Sequence, residues 1–384
     1  MEEINIWELD DIVSVKIKLE LFLLIKNKLF LKYKTKRNAY TILKNKINIS
    51  FNTFKNILKE NYCNKNFFVP LRIWISLCNL LEISIYILQE NITSYKISNG
   101  VNYISNPILP IKITPVFDMI IAHNIGDGTV IDSKKERLPY FGYRQFDPLF
   151  KELYIIKLES IFGKINFPEK YYLKSTRPYC PPVLASLFFK LYHLGTRDFL
   201  SKTARLPEAI LKKDKEYLLA VLIAFIIDEG SIDSTDIVIG LKNIKLTEDL
   251  ANICKTLGYE FTFTTNDKEY GFLYILRSGM KKFFNDYKII VQKYPEMTLG
   301  KWDTKIDNTF KIYDRPIFKI EGNSDLILEM LIKEDLIVNE IARKINMTRQ
   351  GVRFHIHNLE KRNLICKKSI VARSILYSYG GGRC

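Results

Sequence analysis

The sequence predicts an α+β protein with an internal repeat at its centre. Three observations carry this. Two apolar helix patterns, each closed by an acid and a glycine, recur 102 positions apart. A β-like run and a second helix ending in glycine follow each of them. The segments before and after this middle part have the spacing of short helices.

The first element is residues 1–105, read as mainly helical. AYTILKNKINISFNTFKNILKEN has a helix–turn–helix rhythm, with Asn48-Ile49-Ser50 as turn and cap. PLRIWISLCNLLEIS buries Trp74, Leu77, Cys78 and Leu81 on a further helix. The pattern fits a DNA-binding helix-turn-helix and also a packing or dimerisation module. Residues 106–117 carry three prolines and read as a linker or an entering strand.

The middle part, residues 116–305, divides into repeats of about 116–205 and 217–305. FDMIIAHNIGDGTV (Phe117–Val130) and YLLAVLIAFIIDEGSI (Tyr217–Ile232) are the matching helices, with Asp127 and Glu229 in matching places. Ala122 and Gly126, and Ala220 and Ala224, lie one turn apart, so two small-residue faces can bring the backbones close. Gly128 and Gly230 suit the left-handed residue that ends a helix. PLFKELYIIKLESIFG and TEDLANICKTLG end at Gly163 and Gly258. If the first helices pack in parallel, Asp127 and Glu229 meet at one end of the seam. Close carboxylates repel unless they share a proton or a cation. Oxygen ligands select a hard divalent ion, with Mg²⁺ the default. Such an ion activates water and neutralises charge on a phosphodiester. One Asp-Gly after an apolar helix is ordinarily a cap and turn; two at matching places of a repeat favour the chemical reading.

IAHNIGDG (Ile121–Gly128) and LIAFIIDEG (Leu222–Gly230) resemble the signature of the LAGLIDADG, or dodecapeptide, homing endonucleases. The approach TARLPEAILKKDKEY, with its Arg205–Glu208 stretch, is similar to that family's lead into its second motif. The resemblance covers about half the chain. It implies two αββαββα repeats packed about the paired motif helices, a saddle of strands on DNA, and a monomer with internal pseudo-two-fold symmetry. It puts Asp127 and Glu229 in the metal-binding role, with the backbone carbonyls of Gly126 and Asp228 also facing metal. Lys202 and Lys301 occupy places where the family uses a basic residue near the cleaved phosphate, although surface lysines are common in so basic a chain. His123 and Asn124 depart from the apolar motif, and Glu229 stands where Asp is commoner. Neither acid is lost, unlike in the degenerate copies of this fold found in some regulators.

The strands after each motif supply candidate DNA contacts. These are Lys134, Lys135, Arg137, Tyr143, Arg144 and Gln145, then Lys242, Asn243 and Lys245. The same residues also fit the exposed face of half-buried strands.

Residues 323–384 resemble a winged helix-turn-helix. Leu326, Ile327, Met330 and Leu331 share one helix face. VNEIARKIN, the turn Asn346-Met347-Thr348 and TRQGVRFHIHNLEKRNLI follow. Thr348, Arg349, Gln350 and Arg353 face outward at the start of the last helix, where a recognition helix meets the major groove. Lys367, Lys368 and Arg373 would decorate a wing. An ordinary three-helix packing domain is the alternative.

The formal net charge is +16, which favours a polyanionic partner without proving one. Double-stranded DNA is the expected partner. Six scattered cysteines show no C-x-x-C spacing, against a zinc ribbon or redox motif. The longest apolar run ends in Asp228 and Glu229 and is too short to span a bilayer. No signal peptide is read at the start, so the expected location is the cytoplasm, with the nucleoid. These observations predict a site-directed, Mg²⁺-dependent DNA endonuclease. A non-cleaving regulator on the same fold is the alternative, and an RNA-binding role a weaker third.

Overall fold

The computed structural model describes residues 2–9, 12–59, 67–97, 102–131, 140–167, 180–233, 235–266, 269–313, 322–371 and 374–380. The chain forms two compact units, Met1–Ile306 and Asp307–Cys384. Secondary structure is mixed helix and antiparallel sheet. Among the described residues no helix is long and apolar enough to cross a membrane.

The expected boundary after residue 105 does not separate compact units. Strands Val13–Ile17 and Ile92–Ile97 pair antiparallel and bracket the helices Leu19–Tyr33, Lys36–Ile47, Phe51–Ile57, Leu71–Leu80 and Ile85–Glu90. Their sheet continues through Tyr103–Ser105 to Lys164–Asn166, a strand of the middle part, with Tyr103 opposite Asn166. Glu3–Ile4 also pairs with Ile111–Lys112. Shared backbone ladders join the two regions, a long-range pairing that local pattern does not disclose. Trp74 and Phe22, both buried, pack edge to face inside the helical layer.

The helices Pro115–Gly126 and Lys215–Glu229 lie at the centre of the first unit. Both are largely apolar because both are buried on nearly every side. They run in parallel. At their beginnings the Tyr217 hydroxyl donates to the Ile113 carbonyl at 3.0 Å, and Lys213 pairs with the buried Asp118 at 2.7 Å. At their ends Gly126 packs against Asp228 and Phe225; a Cβ on Gly126 would lie 3.1 Å from the Asp228 Oδ2.

After Lys215–Glu229 come strands Gly230–Ile232 and Asp236–Leu241, helix Ile244–Leu257, strands Phe261–Thr265 and Gly271–Leu276, and helix Arg277–Lys293. The four strands form one antiparallel sheet, the last pair in reversed spatial order. Alternate residues of Asp236–Leu241 and Gly271–Leu276 are buried, as expected for a sheet with one face on helices. After Pro115–Gly126, strands Gly128–Ile131 and Tyr140–Tyr143 pair, and helix Pro148–Phe162 and strand Lys164–Asn166 follow. Helix Pro182–Tyr192 comes later.

Gly163 and Gly258 end their helices at positive φ, 102° and 74°. Gly128 and Gly230 do not adopt the expected left-handed conformation; Gly230 has φ −99°. They are glycines for room. A Cβ would stand 2.0 Å from the Asn124 carbonyl oxygen at Gly128, and 2.6 Å from that of Ile226 at Gly230. Each strand leaves its helix so sharply that the turn above allows no side chain.

In the second unit, helices Asn323–Lys333, Val338–Lys344 and Arg349–Lys361 enclose Ile327, Leu331, Ile341, Val352, Ile356 and Leu359. Leu336–Ile337, Ser374–Tyr379 and Ile365–Val371 form a three-stranded antiparallel sheet in that spatial order. Leu326, expected on the buried face, is exposed. The Thr348 hydroxyl caps the last helix by accepting from the Gly351 N–H at 3.0 Å.

Candidate active site

The parallel seam brings Asp127 and Glu229 together, because each acid is the residue at which its helix passes into a strand. Asp127 is half-buried, and Glu229 exposes more of its surface at a crowded helix end. Burial, then the neighbouring Asp228, raises the Asp127 carboxyl to about 7, against a smaller opposing pull from Arg144. Burial, then Asp127 and Asp228, raises Glu229 to about 7 as well. The two acids therefore carry more negative charge than their surroundings compensate. Near neutral pH they need a proton or a cation.

Arg144 and Gln145 border the pair. The Arg144 N–H donates to the Asp127 carbonyl at 2.8 Å, and its exposed guanidinium lies over the Phe146 ring. The Gln145 Nε2 reaches the Asp127 Oδ2 at 3.4 Å, while its Oε1 accepts from the Phe146 N–H at 2.9 Å.

Beneath the acids lies a buried polar cluster. The Asp228 side chain is fully buried and turns across the seam, where His123 Nδ1 of the other helix is 2.9 Å away. The Tyr143 hydroxyl donates to Asp228 at 2.5 Å. Burial holds His123 well below its usual range, helped by Lys157, and holds Asp228 well above its own. Burial thus disfavours charge on both members of this hydrogen-bonded pair. Lys157, fully buried on Pro148–Phe162, is lowered by burial to about 8. Tyr143 stacks on Tyr154, which hydrogen-bonds Asn124. His123 Nε2 is buried and finds no hydrogen-bond partner among the described residues.

This cluster accounts for the two departures from the apolar motif. His123 and Asn124 are polar because Asp228 and Tyr154 are there to meet them. The signal in the sequence was the polar His-Asn step inside a buried helix, together with the extra acid before Glu229. What was missing was the partner, which comes from elsewhere in the fold.

Several expected contacts take other roles. Tyr143, read as a DNA contact, is fully buried because its strand turns it onto Asp228. Asn243, also read as a DNA contact, is buried as the cap of Ile244–Leu257. It accepts from the Leu246 N–H at 3.0 Å and donates to the Ala204 carbonyl at 2.8 Å. Lys242 and Lys245 are exposed. Lys202 pairs with Glu269 at 3.5 Å, and Lys301 with Asp147 at 2.7 Å. Each lysine is thus paired with another acid, and the basic residue that acts on Asp127 is Arg144. Lys134, Lys135, Arg137 and Arg373 lie outside the described residues. Thr348, Arg349, Gln350 and Arg353 are exposed on the last helix of the second unit, as are Lys367 and Lys368 on its sheet. Arg205 grips the buried Asp249 with two guanidinium nitrogens, so that stretch braces the second repeat.

Among the described residues no group of three or more His, Cys, Asp or Glu is arranged to hold a metal. The fit for a divalent ion rests on the two carboxylates. Magnesium keeps several waters and takes one or two protein carboxylates together with substrate phosphate oxygens, so a two-acid donor set fits it.

No protein-family model and no curated protein matches the chain. One solved structure, titled "Structures and dynamics of mesophilic variants from the homing endonuclease I-DmoI", is similar at 16% identity. It covers 45% of this chain and 88% of that one, with a TM-score of 0.32. A likeness that slight assigns neither fold nor activity.

Proposed function

We propose that the chain is a site-directed DNA endonuclease of the LAGLIDADG kind, in which Asp127 and Glu229 hold Mg²⁺. The observation that carries this is the meeting of two under-compensated carboxylates at one end of a parallel helix seam. The helix–strand–strand–helix–strand–strand–helix order of Lys215–Lys293 supports it. When bound, the metal supplies a Lewis acid and an activated water for hydrolysis of a phosphodiester bond.

The chain's own residues bind and orient. Asp127 and Glu229 hold the cation, with the carbonyl oxygens of Gly126 and Asp228 as further donors. Arg144, exposed beside Asp127, meets a phosphate. Asp228, His123 and Tyr143 fix the helix ends beneath the acids. Gln145, Lys242 and Lys245 contact duplex DNA from the first unit. In the second unit, whose helix and strand order is that of a winged helix, Thr348, Arg349, Gln350 and Arg353 face the major groove.

Cleavage of supercoiled plasmid or a selected site with Mg²⁺, with and without EDTA, tests the reading. Asp127→Asn and Glu229→Gln each keep size and remove charge. Each should lower cleavage by about 1000-fold or more, equivalent to about 4 kcal/mol, and leave DNA binding in a gel shift intact. Cleavage that survives both substitutions would place the chemistry elsewhere. Site-specific binding without cleavage under any metal would make the chain a regulator, a reading that the exposed Thr348–Arg353 face favours equally.

A further inference from the structure

The helical layer before the seam has a surface that the endonuclease reading does not use. Residues 18–59 contain eleven Lys or Arg and a single acid, Glu20. Much of the chain's net charge of +16 is therefore carried by three consecutive helices and the residues that flank them.

Two of these helices are held in a fixed pair. Lys36–Ile47 starts on the Thr35 cap and ends at Asn48, in left-handed conformation. Phe51–Ile57 starts on the Ser50 cap, whose hydroxyl accepts from the Thr53 N–H at 3.1 Å. Tyr40 ties them: its hydroxyl donates to the Ile49 carbonyl at 2.8 Å, and its ring packs on Phe51 and Phe54. Ala39, Leu43, Ile47, Phe54 and Ile57 are buried beneath.

The opposite face is solvent-exposed. Asn52, Thr53, Lys55 and Asn56 stand out from the second helix, and Arg37, Lys44 and Lys46 from the first. Asn52 and Asn56 are one turn apart, so their amides share a side. An exposed helix that offers amides and is flanked by cations has the means to read base edges and to hold phosphates.

We propose that this helix pair is a second duplex-DNA grip, with Asn52 and Asn56 reading bases and Arg37, Lys44 and Lys46 holding phosphates. The proposal rests on the chain's being a DNA-binding protein, but not on cleavage. Charge selects a polyanion, and the surface chemistry selects the duplex. A single strand would want exposed aromatic platforms, whereas Tyr40, Phe51 and Phe54 pack on one another. A lipid surface would want an apolar face, and Ile42 is the one large apolar side chain exposed among the described residues of these two helices.

The test uses the full chain, with a selected target duplex, an unrelated duplex, single-stranded RNA and anionic vesicles as probes over a salt series. Arg37→Gln/Lys44→Gln/Lys46→Gln should weaken binding to both duplexes about tenfold or more and lower the log–log salt slope by about 2–3. Asn52→Ala/Asn56→Ala should leave that slope unchanged and relax selection at a few adjacent base pairs, read by repeating site selection. All five positions are exposed, and an unchanged melting temperature verifies the fold. Wild-type affinity and slope in the triple variant would overturn this grip and leave the endonuclease reading standing. Preference for RNA or vesicles would overturn it in favour of that partner. Wild-type protein that binds no duplex would overturn both readings.

Discussion

The two seam helices match residue for residue at an offset of 102, and the matched positions differ where they touch. His123 corresponds to Phe225, and Gly126 to Asp228. Across the seam His123 meets Asp228 through a hydrogen bond, while Gly126 meets Phe225 and the back of the same Asp228. One pairing is polar and the other is small against aromatic. A symmetric seam would put either two buried acids or two glycines at these places. The first would leave charge without a partner, and the second would leave a void. The asymmetry lets one acid fill the space left by one glycine and find a histidine and a tyrosine to bond it. The repeats have therefore ceased to be interchangeable, while Asp127 and Glu229 keep equivalent positions.

The largest expected effect tests that equivalence. If the two acids act as one centre, Asp127→Asn and Glu229→Gln should each abolish cleavage to a similar degree, and the double variant should be hardly worse than either. Strongly unequal single losses, measured on the selected site, would break the equivalence.

The second test breaks the asymmetry. His123→Phe copies the second helix into the first and strips Asp228 of a buried hydrogen-bond partner, which should cost about 1–3 kcal/mol of stability. Adding Asp228→Ala should recover part of it, giving a coupling of about 1–3 kcal/mol in a denaturant-melt cycle. Strictly additive losses would mean that the pair is not a unit.

A third test probes closeness. Gly126→Ala sets a methyl 3.1 Å from the Oδ2 of Asp228, whose carboxyl His123 and Tyr143 hold in place, and 3.5 Å from the Phe225 ring. A loss of about 1–2 kcal/mol is expected. A neutral substitution would show that the seam can relax.

The smallest effect is in pH. In metal-free protein the folded Asp127 and Glu229 titrate near 7, whereas unfolded carboxylates titrate near about 4. In that window the folded state binds more protons, so this contribution is whole at low pH, is lost as pH rises, and stays lost above the folded value. Solvent screening at the partly exposed Glu229 reduces it. Asp127→Asn should therefore raise the melting temperature of the metal-free first unit by about 2–4 °C at pH 8 and by little at pH 4. Mg²⁺ should raise it in wild type and less in the variant. A variant no more stable than wild type at pH 8 would mean that the acids are already compensated.

By itself the sequence determined the paired helices, their acids and the glycines after them. Those features are local: a helix buried on nearly every side is mainly apolar, and a strand leaving it tightly must begin without a side chain. It also determined the helix cap at Ser50, since a cap bonds within its own turn; the caps at Asn243 and Thr348 came only with the structure. The tertiary structure alone decided where the polar exceptions went. Tyr143 and Asn243 carry groups suited to DNA, yet Tyr143 serves Asp228 and Asn243 serves Ala204 and its own helix. Lys164–Asn166 completes a sheet begun by the first hundred residues. In each case the decision rests on a partner distant in the chain. A polar side chain or strand edge looks the same in sequence whether it faces solvent or a neighbour, and burial without a partner costs free energy.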